Sequence, residues 1–210
     1  MKIGIIGTGN VGAGIGRGLA AKGHQVCFGV RDAAAAEVKE LISSLGPGAS
    51  AATVRGCAHF GDVIILAVPL EAAPAVVQSL GDLGGKPLVD CTNPVRKDLE
   101  GLQIGTTTSA AEEIARVAVN AKVIKCFNTT GAKNLAQTRY HKQPIDAYIC
   151  GDDDLAKRAV AQLASDLGFE AVDCGPLKAA RFTEPLAMLW IHLCVKQRMG
   201  PDIAFKLLKL

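Results

Sequence analysis

Aromatic side chains are scarce in this chain: one Trp, two Tyr and six Phe among 210 residues. A core must then come from Ala, Val, Ile and Leu, which carry most of a 49% hydrophobic content and are spread evenly. That composition suits parallel strands covered by helices on both faces. Charge of one sign is lacking too. The net charge is only +3 and Lys and Arg are scattered, which argues against a nucleic-acid partner and leaves a small anion open. The seven cysteines, Cys27, Cys57, Cys91, Cys126, Cys150, Cys174 and Cys194, form no CxxC pair. Their odd number and apolar surroundings predict reduced, buried thiols in a cytoplasmic protein. Long apolar runs are missing as well. "PLAMLWIHLCV" is shorter than a membrane span and is flanked by Glu184 and Lys196. Met1-Lys2 leads straight into a strand, so neither a signal peptide nor a membrane partner is expected.

What the chain does contain is a rhythm. Apolar runs of strand length recur at Lys2–Ile6, Gln25–Val30, Asp62–Val68, Pro87–Cys91, Lys122–Cys126, Asp146–Cys150 and Glu170–Cys174, with helical patterns between most of them. Ala51–Val54 adds a possible short edge or inner strand. The alternation predicts an α/β fold of Rossmann type: a doubly wound, mostly parallel sheet with its ligands at the carboxyl ends of the strands. After Cys174 no strand pattern remains. The residues there read as a helix, a Gly200-Pro201 break and a terminal helix, a small C-terminal helical appendage. The expected division is a dinucleotide-binding domain over 1–176 and a helical segment over 177–210 that completes an acceptor pocket or a dimer interface.

"IGIIGTGNVGAGIG" sets Gly7, Gly9 and Gly12 after the first strand and at the mouth of a helix, the context in which GxGxxG binds a pyrophosphate. Gly7 permits the turn, Gly9 lets the phosphates approach the backbone, and Gly12 packs the helix on the strand. Thr8 and Asn10 add polar groups beside the loop N–H donors. Gly14, Gly16 and Gly18 read as close-packing positions rather than further phosphate contacts. About 20 residues beyond such a loop a side chain reads the adenosine ribose. That count falls on Arg31 or Asp32, and the apolar run stops at Val30. Arg31, the first residue off the strand, suits the 2′-phosphate of NADP, or else is a solvated surface arginine. Asp32 directly precedes "AAAAEVKELISSL", where capping a helix is its ordinary work.

With "GTGNVG" and "GVRD" stand "AVP", "DCTNPV", "KCFNTTGA", "CGDDDLAKR", "DCGPLKAARFTEPLAMLW" and "MGPDIAFKLL". Together they resemble the coenzyme F420-dependent NADP oxidoreductases, and also the cytosolic domain of the six-transmembrane metalloreductases. The resemblance implies a commonly dimeric enzyme passing hydride between NADPH and a ring acceptor, a deazaflavin (coenzyme F420) or a flavin. It further implies that Thr8, Gly9, Asn10 and Val11 hold the pyrophosphate and Arg31 the 2′-phosphate. Val68 and Pro69 then edge the nicotinamide, and Asn93 and Asn128 border the place where the two rings meet. Val30 stands where the family often has serine, and Asn128 where archaeal members have histidine.

Two flat rings that exchange hydride require stacking more than an acid or a base, so no catalytic residue is assigned. His24, His59, His141 and His192 have no recognisable nucleophile or metal partner. "GDDDL" reads as acids at a helix start rather than as a metal site. Arg181 and Glu184, spaced i, i+3, form either a simple ion pair or a part of the acceptor pocket or dimer seam, with Arg181 the candidate substrate contact. Alternatives to the hydride-transfer reading are an NADP-binding redox sensor without turnover, and a reductase of a small imine or carbonyl compound. The second needs a larger helical domain than the residues after Cys174 supply.

Overall fold

The computed structural model describes residues 1–135, 138–140 and 143–208. In chain order the elements are β1 (Lys2–Ile6), α1 (Asn10–Ala21), β2 (Gln25–Val30), α2 (Ala36–Leu45), β3 (Ala49–Thr53), α3 (Val54–Phe60), β4 (Val63–Leu66), α4 (Ala73–Leu80) and β5 (Pro87–Asp90). There follow α5 (Ala110–Val117), β6 (Lys122–Lys125), a two-residue hairpin of β7 (Arg139–Tyr140) and β8 (Gln143–Pro144), then β9 (Asp146–Gly151), α6 (Asp154–Asp166), β10 (Glu170–Asp173) and α7 (Ala180–Ile191). The main sheet has the order β10-β9-β6-β5-β4-β1-β2-β3. Its six strands β1 to β6 run parallel, and β9 joins β6 antiparallel, carrying β10 with it. This is the Rossmann strand order 3-2-1-4-5-6 with a two-stranded extension. Of Ala51–Val54, read as a possible strand, Ala51 to Thr53 belong to the edge strand β3 and Val54 begins α3.

The strands are mostly apolar because both faces are covered. Ile3, Ile5, Phe28, Ile65 and Ile124 pack on one face with Ile15 and Leu19 of α1 and Val160 and Leu163 of α6. Ile6, Cys27, Ile64, Leu66 and Leu88 pack on the other with Cys57 of α3, Val77 of α4 and Ile114 of α5. Each such large side chain contributes about 1.5–3 kcal/mol on full burial. All seven cysteines are free thiols, five of them buried and Cys174 and Cys194 partly so.

The glycines of α1 form two ridges that meet different neighbours. A Cβ at Gly16 would lie 2.4 Å from the ring of Phe28 beneath it, and one at Gly18 2.3 Å from Leu167 at the end of α6. These positions hold α1 close to the sheet and to α6, as the sequence reading has it.

Two expectations fail. Asp32 does not cap α2: that helix starts at Ala36 with Ala35 at its N-cap, and Asp32 Oδ1 accepts from Ala34 N–H (2.8 Å) in the turn before it. The terminal helix is also absent. After α7 comes a π-helical turn, His192–Lys196, and residues 201–208 then form an irregular strap. A helix this short is marginal on its own. Tertiary bonds take the strap's polar groups instead: Ile203 C=O accepts from Trp190 Nε1 (2.8 Å) and Asn134 Nδ2 (2.9 Å), while Lys206 reaches the buried Asp146 (2.8 Å).

Gly16→Ala pushes a methyl group into a filled core, and is expected to lower stability by about 1–3 kcal/mol. Thermal and urea unfolding of the purified variant check this; an unchanged melting temperature would mean that α1 can lift off the sheet without cost.

Candidate functional site

β1 is followed at once by Gly7, whose φ of +107° and whose neighbour, the Ala67 carbonyl oxygen 2.4 Å from any added Cβ, admit only glycine. The chain turns there into α1. Gly12 seats the helix against that turn, since a Cβ on it would lie 2.1 Å from Gly7 C=O. Gly9 is different: a Cβ on it would meet nothing within 4 Å, so its backbone borders open space. Gly9 is also the N-cap of α1, no side chain caps the helix, and no acid stands in its first turn. The N–H groups of that turn and the positive end of the helix dipole therefore face the same open space. Such a cradle fits a pyrophosphate. Thr8, Gly9 and Asn10 line one end of a groove of about 660 Å³ that continues past Arg17 of α1 to Glu37 and Glu40 of α2 and Lys133. Farther along, the two carboxylates and the two cations offset one another, whereas the loop offers only N–H donors and small polar groups. Val11 contributes only backbone here, because its side chain packs against the core.

The other candidates fall along the same edge. Val30 ends β2 and packs inward beside Thr53 of β3. Arg31 is exposed and has no side-chain partner among the described residues. Val68 and Pro69 follow β4, with Val68 Cγ1 3.2 Å from a Cβ built on Gly7, next to the glycine turn. Asn93 follows β5 and Asn128 follows β6, and they exchange two hydrogen bonds: Asn93 Nδ2 donates to Asn128 C=O (2.8 Å) and Asn128 Nδ2 to Asn93 Oδ1 (3.0 Å). Thus every candidate except Arg181 lies at the carboxyl end of a strand from β1 to β6, on both sides of the point where the sheet order reverses at β1. In such sheets that crevice holds the ligand.

Arg181 stands apart. Its guanidinium makes a two-pronged bond to Glu112 of α5 (Nε 2.8 Å, Nη2 2.7 Å), and the ion pair with Glu184 expected from the i, i+3 spacing does not form. The arginine beside Glu112 holds that carboxyl below the usual carboxylate range, against a smaller opposing effect of burial. Glu184 turns inward instead and is 1% exposed. It bonds the buried Lys125 (2.9 Å), which also bonds Asp90 (2.8 Å). Burial alone pushes the Lys125 ammonium down, but the two carboxylates outweigh it and hold its pKa above the usual lysine value. Sequence reading missed this cluster. Its signal was a single charge inside each of three apolar stretches, "PLVDC", "VIKCF" and "FTEPL".

The acids of "GDDDL" serve the helix. Asp153 caps α6 by accepting from Ala156 N–H (2.8 Å), Asp154 lies in the first turn, and Asp152 accepts from Leu177 N–H (2.9 Å). Among the described residues no three His, Cys, Asp or Glu side chains come together as metal ligands. His24 Nε2 lies 3.0 Å from Asp166 and its Nδ1 3.4 Å from the terminal amine of Met1, at the amino end of β1; His141 lies outside the described residues. No helix among the described residues is long and apolar enough to cross a membrane.

Comparison with known proteins agrees with this geometry. Residues 2–94 match the family described as NADP oxidoreductase, coenzyme F420-dependent. The F420-dependent NADP reductase of Methanothermobacter marburgensis is 34% identical over 95% of this chain and 95% of its own. Metalloreductase STEAP3 of Rattus norvegicus is 30% identical over 90% of this chain but only 37% of its own length. A crystal structure from Arthrobacter sp. FB24, described as a candidate F420-dependent NADP-reductase, superposes with a TM-score of 0.89 at 30% identity, covering 100% of both chains. A glycine cradle at the switch point of this sheet, and likeness to these reductases over nearly the whole length, give one conclusion: the chain belongs to the coenzyme F420-dependent NADP oxidoreductase family.

Proposed function

We propose that this protein transfers hydride between NADP(H) and the deazaflavin coenzyme F420, with the nicotinamide ring at the ends of β4, β5 and β6. The observation that carries the reading is the uncapped first turn of α1 with Gly9 open in front of it. That feature serves no purpose for the fold and fits a dinucleotide's pyrophosphate. The N–H groups of Thr8 to Val11 bind that group, Arg31 binds the 2′-phosphate, and Val68 with Pro69 form an apolar edge for the ring. Bound, the pair of coenzymes supplies all the redox chemistry: NADPH gives a hydride, the deazaflavin takes it together with a proton from solvent, and NADP⁺ leaves. What the chain adds is alignment and exclusion of water. Neither task requires a general acid or base.

The segment from 177 onward is the wall of the acceptor pocket in this reading, since α7 meets Asn128 through Thr183 C=O (3.2 Å). A flavin is the alternative ring. α7 and the turn after it leave Phe182 76%, Leu189 47%, Val195 49% and Met199 59% exposed, an apolar surface that supports a homodimer. Free thiols throughout support a reducing, cytoplasmic setting. A regulatory NADP sensor has no observation in its favour.

Gly9→Ala is the sharpest test of the cradle: its methyl group touches no protein atom, so melting should not change, while NADPH affinity should fall about tenfold or more, or about 1.4 kcal/mol. Titration calorimetry reads the loss and thermal unfolding the intact fold. Arg31→Ala should weaken NADPH by about 2 kcal/mol and leave NADH nearly unaffected, as expected for one charge-assisted phosphate contact. An equal loss for both nucleotides would assign Arg31 elsewhere. With NADPH present, loss of absorbance at the deazaflavin band of F420, compared with FMN, FAD and riboflavin, identifies the acceptor; no turnover with any ring would sink the reading.

A further inference from the structure

The buried cluster beneath the strand ends needs an explanation of its own. Lys125 and Asp90 are 0% exposed and Glu184 1%. Taking three ions out of water costs several kcal/mol each, and well-packed apolar residues of similar volume would stabilise a fold equally well or better. Stability alone therefore does not account for them. Their hydrogen bonds are complete: Lys125 Nζ donates to Asp90 Oδ2 (2.8 Å) and Thr92 C=O (2.6 Å) and lies 2.9 Å from Glu184 Oε1. Asp90 Oδ1 accepts from Thr92 N–H (2.8 Å), and Glu184 accepts from Ala110 N–H (3.0 Å) and Ala111 N–H (3.1 Å) at the start of α5.

These bonds converge on one side chain. Thr92 is gripped at both its N–H and its C=O, which fixes the direction of the next residue, Asn93. Asn128 Nδ2 donates to Asn93 Oδ1 and to Thr183 C=O, and Thr183 immediately precedes Glu184. Lys125 thus sets both walls around the Asn128 amide, directly on the β5 side and through Glu184 on the α7 side. With Nδ2 spent on two acceptors, Asn128 Oδ1 is left buried and without a donor among the described residues, on a residue only 4% exposed. Phe127, just before it, sits at φ +63°, a backbone conformation rare outside glycine, and is kept there with its ring 5.9 Å from that of Phe169. Several independent restraints hold this buried acceptor at the carboxyl end of β6, beside the place proposed for the ring, and the hydroxyls of Thr92 and Thr183 are likewise without a partner among the described residues.

We propose that Asp90, Lys125 and Glu184 form the positioning network of the hydride-transfer site, holding the Asn93–Asn128 pair so that Asn128 Oδ1 accepts from the carboxamide N–H of the nicotinamide. The inference rests on the reading that the nicotinamide lies at these strand ends. None of the three ions touches the coenzyme. They act through Asn128, which selects the ring's rotation and hence the face it turns to the acceptor.

The test uses Glu184→Gln, the uncharged triple variant Asp90→Asn with Lys125→Met and Glu184→Gln, Asn128→Ala, and Asn128→Ala combined with Glu184→Gln. Two readouts are taken. In turnover with F420, Glu184→Gln should lower kcat about tenfold or more while KM for NADPH rises no more than about fivefold, the share of binding that the ring contact supplies. Adding Glu184→Gln to Asn128→Ala should cost nothing further. The second readout needs no turnover: the ratio of affinities for NADP⁺ and for 2′-phospho-ADP-ribose, which lacks the ring. Wild type should favour NADP⁺ by about fivefold or more, one neutral buried hydrogen bond's worth, and the folded variants should lose the preference. Where Glu184→Gln fails to fold, the triple variant, which leaves no buried charge unpaired, carries the test. Folded variants with wild-type kcat and an unchanged affinity ratio would overturn the proposal, as would additive losses in the double variant. If wild type turns over no ring acceptor yet the ratio still collapses in the variants, the positioning network stands and the proposed acceptor falls.

Discussion

The structure depends on the pairing of β1 on both sides. It is bonded to β2 from Lys2 to Ile6 and to β4 from Ile3 to Ile6, fully parallel in each case. Because the chain leaves β1 toward β2 and returns beyond it to β4, the connections diverge above β1 and leave a crevice that no side chain has to carve. Everything assigned to the coenzyme stands on that rim. The phosphate end belongs to β1, α1 and β2, the ring end to β4, β5 and β6. The helix over the crevice can present a bare first turn only because Gly12 and Gly16 let α1 lie against β1 and Phe28.

Much of this was legible in the residues because each signal was local. Apolar runs named the strands, since a strand buried on both faces has few polar positions to blur the pattern. Three glycines at fixed spacing named the phosphate loop. What could not be read was decided by partners distant in sequence. Arg181 and Glu184 share a helical spacing that invites an ion pair, yet Glu112 lies 69 residues away from Arg181 and claims it, while Lys125 and two α5 amides claim Glu184. The terminal residues looked helical by periodicity, and lost to a buried aspartate and an indole N–H that bonded the strap. Asp32 stood one turn too early to cap the helix it precedes. For Arg181, Glu184 and the strap, the sequence pattern proposes local structure and distant partners supply a better one; Asp32 keeps a local partner, Ala34 N–H.

The same rule explains how a helix after the last strand becomes part of the site. α7 carries no ligand-binding motif of its own. It is tied to the rim by Thr183 C=O on Asn128, by Glu184 on Lys125 and α5, and by Arg181 on Glu112. Trp190, which covers Gly131 in the segment after Asn128, continues the attachment to the strap. The sheet and the C-terminal segment therefore meet at charged and polar bonds beside the ring end. Apolar contact between them would hold as strongly, but would leave rotation and register less defined.

That division has a consequence for specificity. In the proposed arrangement the phosphate contacts to one side of β1 supply affinity and choose NADP over NAD, and Arg31 is exposed, so its exchange disturbs little else. The residues proposed to order the ring on the other side are buried and mutually dependent, so a change at Asn128 must satisfy Asn93, Thr183 and the charges beneath them together. A histidine at this position, which the family resemblance implies for archaeal members, offers one donor and one acceptor in its neutral form where asparagine offers two donors and an acceptor. It could not serve both Asn93 Oδ1 and Thr183 C=O and still present an acceptor to the ring. The substitution at Asn128 is therefore a rearrangement of the ring site, whereas valine for serine at Val30 removes at most one hydroxyl from the phosphate site.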